Sequence, residues 1–146
     1  MILLDTNVVS EPLRPAPDTR VIEWIDAQPL DTLFLSAITV AELRAGVALL
    51  PKGKRRSGLQ ESLENRVLPL FAGRVLPFDV GCTQAYAELM AKARASGLAI
   101  ASAGGYIAAI AAANGLAVAT RDTGPFEAAG AAVINPWQTG SALSGD

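Results

Sequence analysis

No residue between Ala95 and Thr120 carries a formal charge, and an uncharged run of that length constrains the fold sharply. It exceeds the roughly 20 residues with which a helix spans a bilayer, so it lies either in a membrane or in the interior of the domain. Its composition selects the interior. Ala, Gly and Ser dominate it, and Asn114-Gly115 interrupts it with a helix-stop signal. A buried helix over roughly Ile100–Ala113, followed by a core strand over Leu116–Ala119, is the expectation. The N-terminus, MILLD, has an acid at position 5 and no basic residue before it, unlike a secretory signal peptide. The chain is therefore expected to be cytoplasmic, with no membrane association.

The rest of the chain alternates in the same manner. Met1–Leu4 reads as a strand that ends at Asp5. Pro12, Pro15 and Pro17 hold an irregular stretch, after which Asp18 caps a helix near Thr19–Gln28, with Val21, Ile22 and Ile25 on one face. Thr32–Leu35 reads as a second strand. Thr39–Leu50 follows as a helix, with Val40, Leu43, Val47 and Leu50 at helical spacing and Pro51 as its end. The KGKRR segment holds four of the twelve basic residues and reads as a loop before a helix carrying Leu59, Leu63 and Val67. A third strand falls within Arg74–Phe78. Asp79 caps the next helix, Gly97 interrupts it, and a short last strand covers Ala132–Ile134.

Strands alternating with helices predict an α/β domain with a mainly parallel central sheet flanked by helices. With 146 residues, no repeat and no linker, one domain over residues 1–137 is expected. Residues 138–146 form a small, polar tail that is expected to be disordered.

The chain contains no histidine. That removes Ser-His-Asp and Cys-His triads, every histidine general base, and every histidine-containing zinc site. One cysteine, Cys82, excludes an intramolecular disulfide and a cysteine-rich metal site. The remaining chemistry belongs to carboxylates, hydroxyls, Lys and Arg, and any metal must be a hard, oxygen-seeking cation. A net charge of −2 gives no global polycation for nucleic acid. G-x-x-x-x-G-K-[ST] and G-x-G-x-x-G phosphate loops are absent.

Three acids stand out by position. In open parallel sheets ligands bind beyond the carboxyl ends of the strands. Asp5 directly follows the first strand, Asp122 lies just past the fourth, and Glu42 falls in the first turn of the helix after the second. All three can converge on one sheet edge, with Thr6, Asn7, Ser36 and Thr120 beside them. Two carboxylates roughly 5 Å apart repel by about 3 kcal/mol at an effective dielectric near 20. A cluster of them calls for Mg²⁺ or Mn²⁺, or for a partner's arginine, and suits phosphodiester hydrolysis by metal-activated water.

Simpler readings stand beside this one. Asp5 and Asp122 also suit loop acids that turn the chain after a strand. Thr39-x-x-Glu42 forms a capping box, which needs no function. The basic segment also fits a solvated turn, Arg121 a surface ion pair, and Trp24 and Trp137 plain packing. The Asp5-Thr6-Asn7 start is similar to haloacid-dehalogenase-like phosphatases, but those need a second Asp where this chain has Asn7.

Four separated segments carry a family resemblance in order and spacing: MILLDTNVVSEPLRP, LSAITVAELRAGVALL, LPLFAGRVLPFD, and GYIAAIAAANGLAVATRDTGPFEAAGAAVINPW. Together they resemble the PIN-domain toxins of VapBC-type toxin–antitoxin modules, over Met1 to about Trp137. The resemblance implies a PIN-like fold and a Mg²⁺- or Mn²⁺-dependent endoribonuclease that leaves a 5′-phosphate and a 3′-hydroxyl. It implies a homodimer silenced by a cognate antitoxin of the VapB or FitA type, whose C-terminal segment occupies the acidic groove. Operator DNA would be engaged only through that antitoxin. Of the four acids in the family's metal site, Asp5 matches the first, Glu42 the second and Asp122 the fourth. Thr120 falls where a supporting hydroxyl is frequent. Lys54, Arg55 and Arg56 are the candidates for guiding the RNA backbone.

The third acid is missing. The family pattern begins D-x-x-I-A, whereas this chain reads Gly104-Gly105-Tyr106-Ile107-Ala108. Four clustered carboxylates make six repulsive pairs and three make three, so the metal-free protein is relieved while metal affinity falls. Two glycines early in a helix work against that relief, at about 1 kcal/mol each relative to alanine. Activity reduced or lost is the expectation. The alternative is a catalytically dead module that binds antitoxin and takes part in operon autoregulation.

Overall fold

The computed structural model describes residues 1–138, so the expected tail lies, apart from Gln138, outside the described residues. Five short parallel strands form one sheet in the order β3-β2-β1-β4-β5: β1 Ile2–Leu4, β2 Leu33–Ser36, β3 Val75–Leu76, β4 Ala117–Ala119 and β5 Val133–Ile134. Helices cover both faces: α1 Thr6–Ser10, α2 Thr19–Ala27, α3 Ala37–Ala48, α4 Lys54–Ser62, α5 Val80–Ala95, α6 Ser102–Ala113 and α7 Thr123–Ala128.

The pleat explains why the strands are apolar apart from Ser36 at the end of β2. Side chains alternate between faces, and a parallel sheet buried on both sides needs apolar residues at every position. In β1, Leu3 packs with Val118 into a core built from α5, α6 and α7. Its neighbour Leu4 joins Leu33, Leu35 and Ala119 in a second core under α1, α2 and α3. Both tryptophans belong to that second core.

The uncharged run resolves into α6 and β4. Ile107 through Ala111 are all buried, because α6 is enclosed by α3, α5 and the sheet. Its polypeptide stops at Asn114, and Gly115 takes φ +68°, a left-handed conformation that glycine adopts without strain. No helix among the described residues is long and apolar enough to cross a membrane.

Local differences from the sequence reading have physical causes. The helix after β2 starts at Ala37, and its N-cap is Ser36, whose hydroxyl accepts the Thr39 amide at 3.0 Å. Thr39 is therefore not a cap, the capping box does not form, and Glu42 sits in the second turn rather than the first. Lys54, Arg55 and Arg56 are not in a loop but form the first turn of α4. That helix gives way at Leu63 to a wider π turn, Leu63–Val67. Asp79 occupies the N-cap position of α5 without accepting a backbone amide there, and takes the Cys82 thiol instead at 3.3 Å. Two short helices, α1 and α7, stand where the sequence shows only connections.

Candidate active site

In this strand order the chain leaves β1 toward β2 on one side and leaves β4 toward β5 on the other. The reversal between β1 and β4 opens a crevice beyond their carboxyl ends. Asp5 and Asp122 follow those two strands. The backbone of Asp5 extends the ladder, its amide bonding the Ala119 carbonyl at 2.9 Å, before its side chain caps α1. The side chain is 8% exposed. One carboxylate oxygen accepts the Thr6 amide at 2.8 Å and the other accepts the Thr120 hydroxyl, also at 2.8 Å. Thr120, fully buried, is itself oriented by the Asp122 amide, which donates to its Oγ1 at 3.0 Å. A relay of hydroxyl and amide thus ties the two strand-end acids together.

Glu42 is held by a second hydroxyl. Thr6 Oγ1 donates to its carboxylate at 2.6 Å and lies 3.1 Å from Thr39 Oγ1. Thr6 has one hydroxyl proton, and the shorter, charge-assisted bond claims it. Thr39 therefore donates to Thr6. The three acids line one cleft of about 580 Å³ together with Thr6, Asn7 and Gly104. Burial pushes the Asp5 carboxyl above its ordinary value. The Thr120 and Thr6 hydrogen bonds oppose that push, while the charges of Glu42 and Asp122 add to it.

Part of the wall is apolar. Ile100, Ile107, Pro125 and Phe126 line the cleft together with the acids, and Gly104, in the first turn of α6, lies beside Ile100 and Phe126. A Cβ built on Gly104 would meet Ile100 at 3.4 Å and Phe126 at 3.6 Å, ordinary contacts. A Cβ at this position is accommodated without displacing its neighbours.

The other sequence candidates separate. Asn7 lines the cleft, and its side-chain Oδ1 accepts the Arg121 amide at 3.4 Å. The Arg121 guanidinium lies 5.0 Å over the Trp137 ring. Ser36 is fully buried and spent on its cap. Of the basic trio, Arg55 lines a groove that adjoins the cleft, Arg56 lines a separate depression with Arg44 and Glu64, and Lys54 is exposed. Sequence reasoning missed Thr39 and the apolar wall. A hydroxyl three residues before an acid on a helix was the available signal for Thr39. The wall had none, since its residues read as core.

Oxygen donors are the only candidate ligands here, which suits a hard cation. Among the described residues no three acidic or cysteine side chains stand close enough together to form a ready-made metal cage. The donor chemistry nevertheless fits a cation, because the cleft gathers a buried carboxylate and two further negative charges without a basic side chain among its lining residues.

Comparison with known proteins follows the same outline. Residues 2–131 match the PIN domain family. The chain is 67% identical to "Plasmid stability protein StbB" of Pseudomonas syringae pv. tomato, and 61% identical to "VapC ribonuclease Y4jK" of Sinorhizobium fredii. Each alignment spans 94% of this chain and 99% of the relative. "Toxin FitB" of Neisseria gonorrhoeae is 59% identical at the same coverage. The crystal structure of FitAcB from that organism superposes with a TM-score of 0.90, over 94% of this chain and 99% of the other. A five-stranded parallel sheet with acids at its switch point, matched across nearly the whole length, places the chain in the PIN-domain family, among the VapC/FitB toxins of toxin–antitoxin systems.

Proposed function

We propose that this chain is a ribonuclease toxin whose cleft hydrolyses RNA phosphodiesters with a divalent cation, Mg²⁺ or Mn²⁺, and that Gly104 leaves it with reduced or no activity. The observation that carries the proposal is the position of Gly104. It lines the same cleft as Asp5, Glu42 and Asp122, where an acid would complete the ligand set. Asp5, Glu42 and Asp122 would hold the cation. When bound, the cation would supply a water of lowered pKa and charge to stabilise the leaving oxygen. Thr120 and Thr6 keep the Asp5 and Glu42 carboxylates oriented, Thr39 steadies Thr6, and Asn7 supports the backbone between Thr120 and Asp122.

The relatives suggest the setting. A FitAcB complex among the matching structures supports a VapB- or FitA-like antitoxin as partner, with operator DNA reached only through it. A homodimer, a cytoplasmic location and a single PIN unit over residues 1–137 complete the reading. Among the basic trio, Arg55 is the residue placed to meet RNA near the cleft.

The test compares antitoxin-free protein with its Gly104→Asp variant on structured RNA in Mn²⁺, alongside a calorimetric Mn²⁺ titration of both. Cleavage that appears or rises at least tenfold in the variant, with tighter Mn²⁺ binding, is expected. Equal cleavage by both would sink the role given to Gly104. No cleavage and no metal binding by either would sink the nuclease itself. The same glycine favours a second reading, an antitoxin-binding module without catalysis. That reading requires antitoxin binding as tight as that of the Gly104→Asp variant and no turnover at any Mn²⁺ concentration.

A further inference from the structure

The acidic cleft continues in two directions. On one side it shares Thr6, Ser10 and Glu42 with a groove of about 280 Å³ between α1, α3 and α4, which reaches Arg55. On the other it shares Ala99 and Ile100 with a groove of about 560 Å³ across the α5–α6 turn, which reaches Arg94. The result is one trough with a cation at either end and acids in the middle. Its floor is apolar: Leu59 and Leu63 toward Arg55, Met90 and Leu98 toward Arg94. Arg94 is exposed in the last turn of α5. Among the described residues no ion pair engages Arg55 or Arg94, whereas Arg14, also on the first groove, is committed to Glu11 at 3.1 Å.

We propose that this trough seats a single RNA strand running through the cleft, with Arg55 holding backbone phosphate on one side of the acids and Arg94 on the other. The inference rests on the ribonuclease reading and deepens it. An endonucleolytic cut needs the strand to continue past both sides of the scissile phosphate, and a trough with only the Arg55 arm would suit a strand end. Charge order separates RNA from a peptide. A basic peptide would suit the acids but be repelled at both ends, whereas a polyanion is attracted at both ends. Its passage over the acids then needs the divalent cation already required there. Apolar floors beside backbone-holding cations suit unpaired bases.

The experiment measures binding of a fluorescein-labelled, unstructured RNA oligonucleotide by anisotropy. It uses antitoxin-free full-length protein, Ca²⁺ in the buffer and a series of salt concentrations. Arg94→Gln and Arg55→Gln should each weaken binding about three- to tenfold and reduce the log–log salt slope by about 0.7, the loss of one single-strand phosphate contact. Arg20→Gln, on α2 and paired with Asp18, should leave both unchanged. Shortening the RNA from one end should abolish the Arg94 effect and keep the Arg55 effect, and shortening it from the other end should do the reverse. Wild-type binding by Arg94→Gln overturns the inference, as does loss of both effects on the same truncation. So does an Arg94→Gln variant that loses affinity for an antitoxin peptide but not for RNA. Arginine-dependent RNA binding with no cleavage by Gly104→Asp in Mn²⁺ would leave the trough standing and remove the nuclease. No RNA binding by any form would remove both.

Discussion

Glu11 is only 3% exposed, yet it is a carboxylate in a chain segment crowded with prolines. Its oxygens are occupied: one accepts the Asp18 amide at 2.8 Å and the other Arg14 at 3.1 Å. Glu11 thus fixes the backbone at the point where Asp18 caps α2. Replacing it with Ala should cost about 2–4 kcal/mol, because the Asp18 amide is orphaned and the charge pair is lost. Glu11→Gln, which keeps one acceptor oxygen for the Asp18 amide while losing the charge pair with Arg14, should cost clearly less. Urea unfolding at unchanged m-value is the measurement, and equal losses for Ala and Gln would contradict the hydrogen-bond account.

Asp18 itself gives a pH signature. Its hydrogen bonds to Arg20 hold its pKa near 2, below the ordinary 3.8. A depressed carboxylate contributes stability that is present above the unfolded value and lost as pH falls through the folded one. Asp18→Asn should therefore be less stable than the parent at pH 7, with the gap shrinking below pH 3.8 and gone near pH 2. A gap that stays constant across that window would show that the charge plays no part.

Residues of these kinds differ in how legible they were. Asp5 and Asp122 could be read because an acid at a strand end has a known place in a parallel sheet. Glu42 was read in the first turn of its helix but lies in the second, and the capping box assigned to it does not form. Glu11 could not be read. Its burial comes with the return of the chain that brings the Asp18 amide, seven residues on, to its carboxylate, and no local pattern records that.

Whole elements were legible in proportion to their length. Each of the five strands was visible as an apolar run, because Ser36, at the end of β2, is the one polar residue among them. Helices α1 and α7 span five and six residues, less than two turns, so neither completes a hydrophobic period. The start of α4 was hidden for another reason. Its first turn is entirely basic and its apolar residues come later, so the cationic run resembled a loop.

Packing between α5 and α6 yields a paired expectation. Gly105 lies where a Cβ would come within 3.1 Å of both Met90 and Tyr86, and Tyr86 is itself stacked on Tyr106 at 4.8 Å. Gly105→Val should lower stability by about 1–3 kcal/mol through overpacking. Gly104→Ala, one residue earlier and making only ordinary contacts with Ile100 and Phe126, should raise it by about 0.5–1 kcal/mol through helix propensity. Thermal unfolding of the two variants should move in opposite directions. The same direction for both would mean that α5 and α6 are not in contact as described.

At the scale of the molecule, the candidate ligands sit on three separate elements: the end of β1, the second turn of α3 and the end of β4. A cation shared by Asp5, Glu42 and Asp122 would bind only the folded chain, since residues so distant in sequence are not gathered when it unfolds. Binding to the native state alone stabilises by RT ln(1 + [L]/Kd), about 2.7 kcal/mol at a hundredfold excess over Kd. Each tenfold gain in affinity then adds about 1.4 kcal/mol. Adding Mn²⁺ should therefore raise the unfolding temperature of Gly104→Asp more than that of the parent, and EDTA should erase both shifts. The comparison is between each protein with and without metal. That choice matters because the metal-free stabilities of the two forms differ through helix propensity and carboxylate repulsion acting with opposite signs. Introducing Asp122→Asn into Gly104→Asp should pull the Mn²⁺ shift back toward the parental value, since it removes another candidate ligand from the same cleft. If calorimetry gave the same Mn²⁺ shift in the parent, in Gly104→Asp and in the double variant, the ion would be binding elsewhere on the molecule, and the assignment of the cleft as its site would fail.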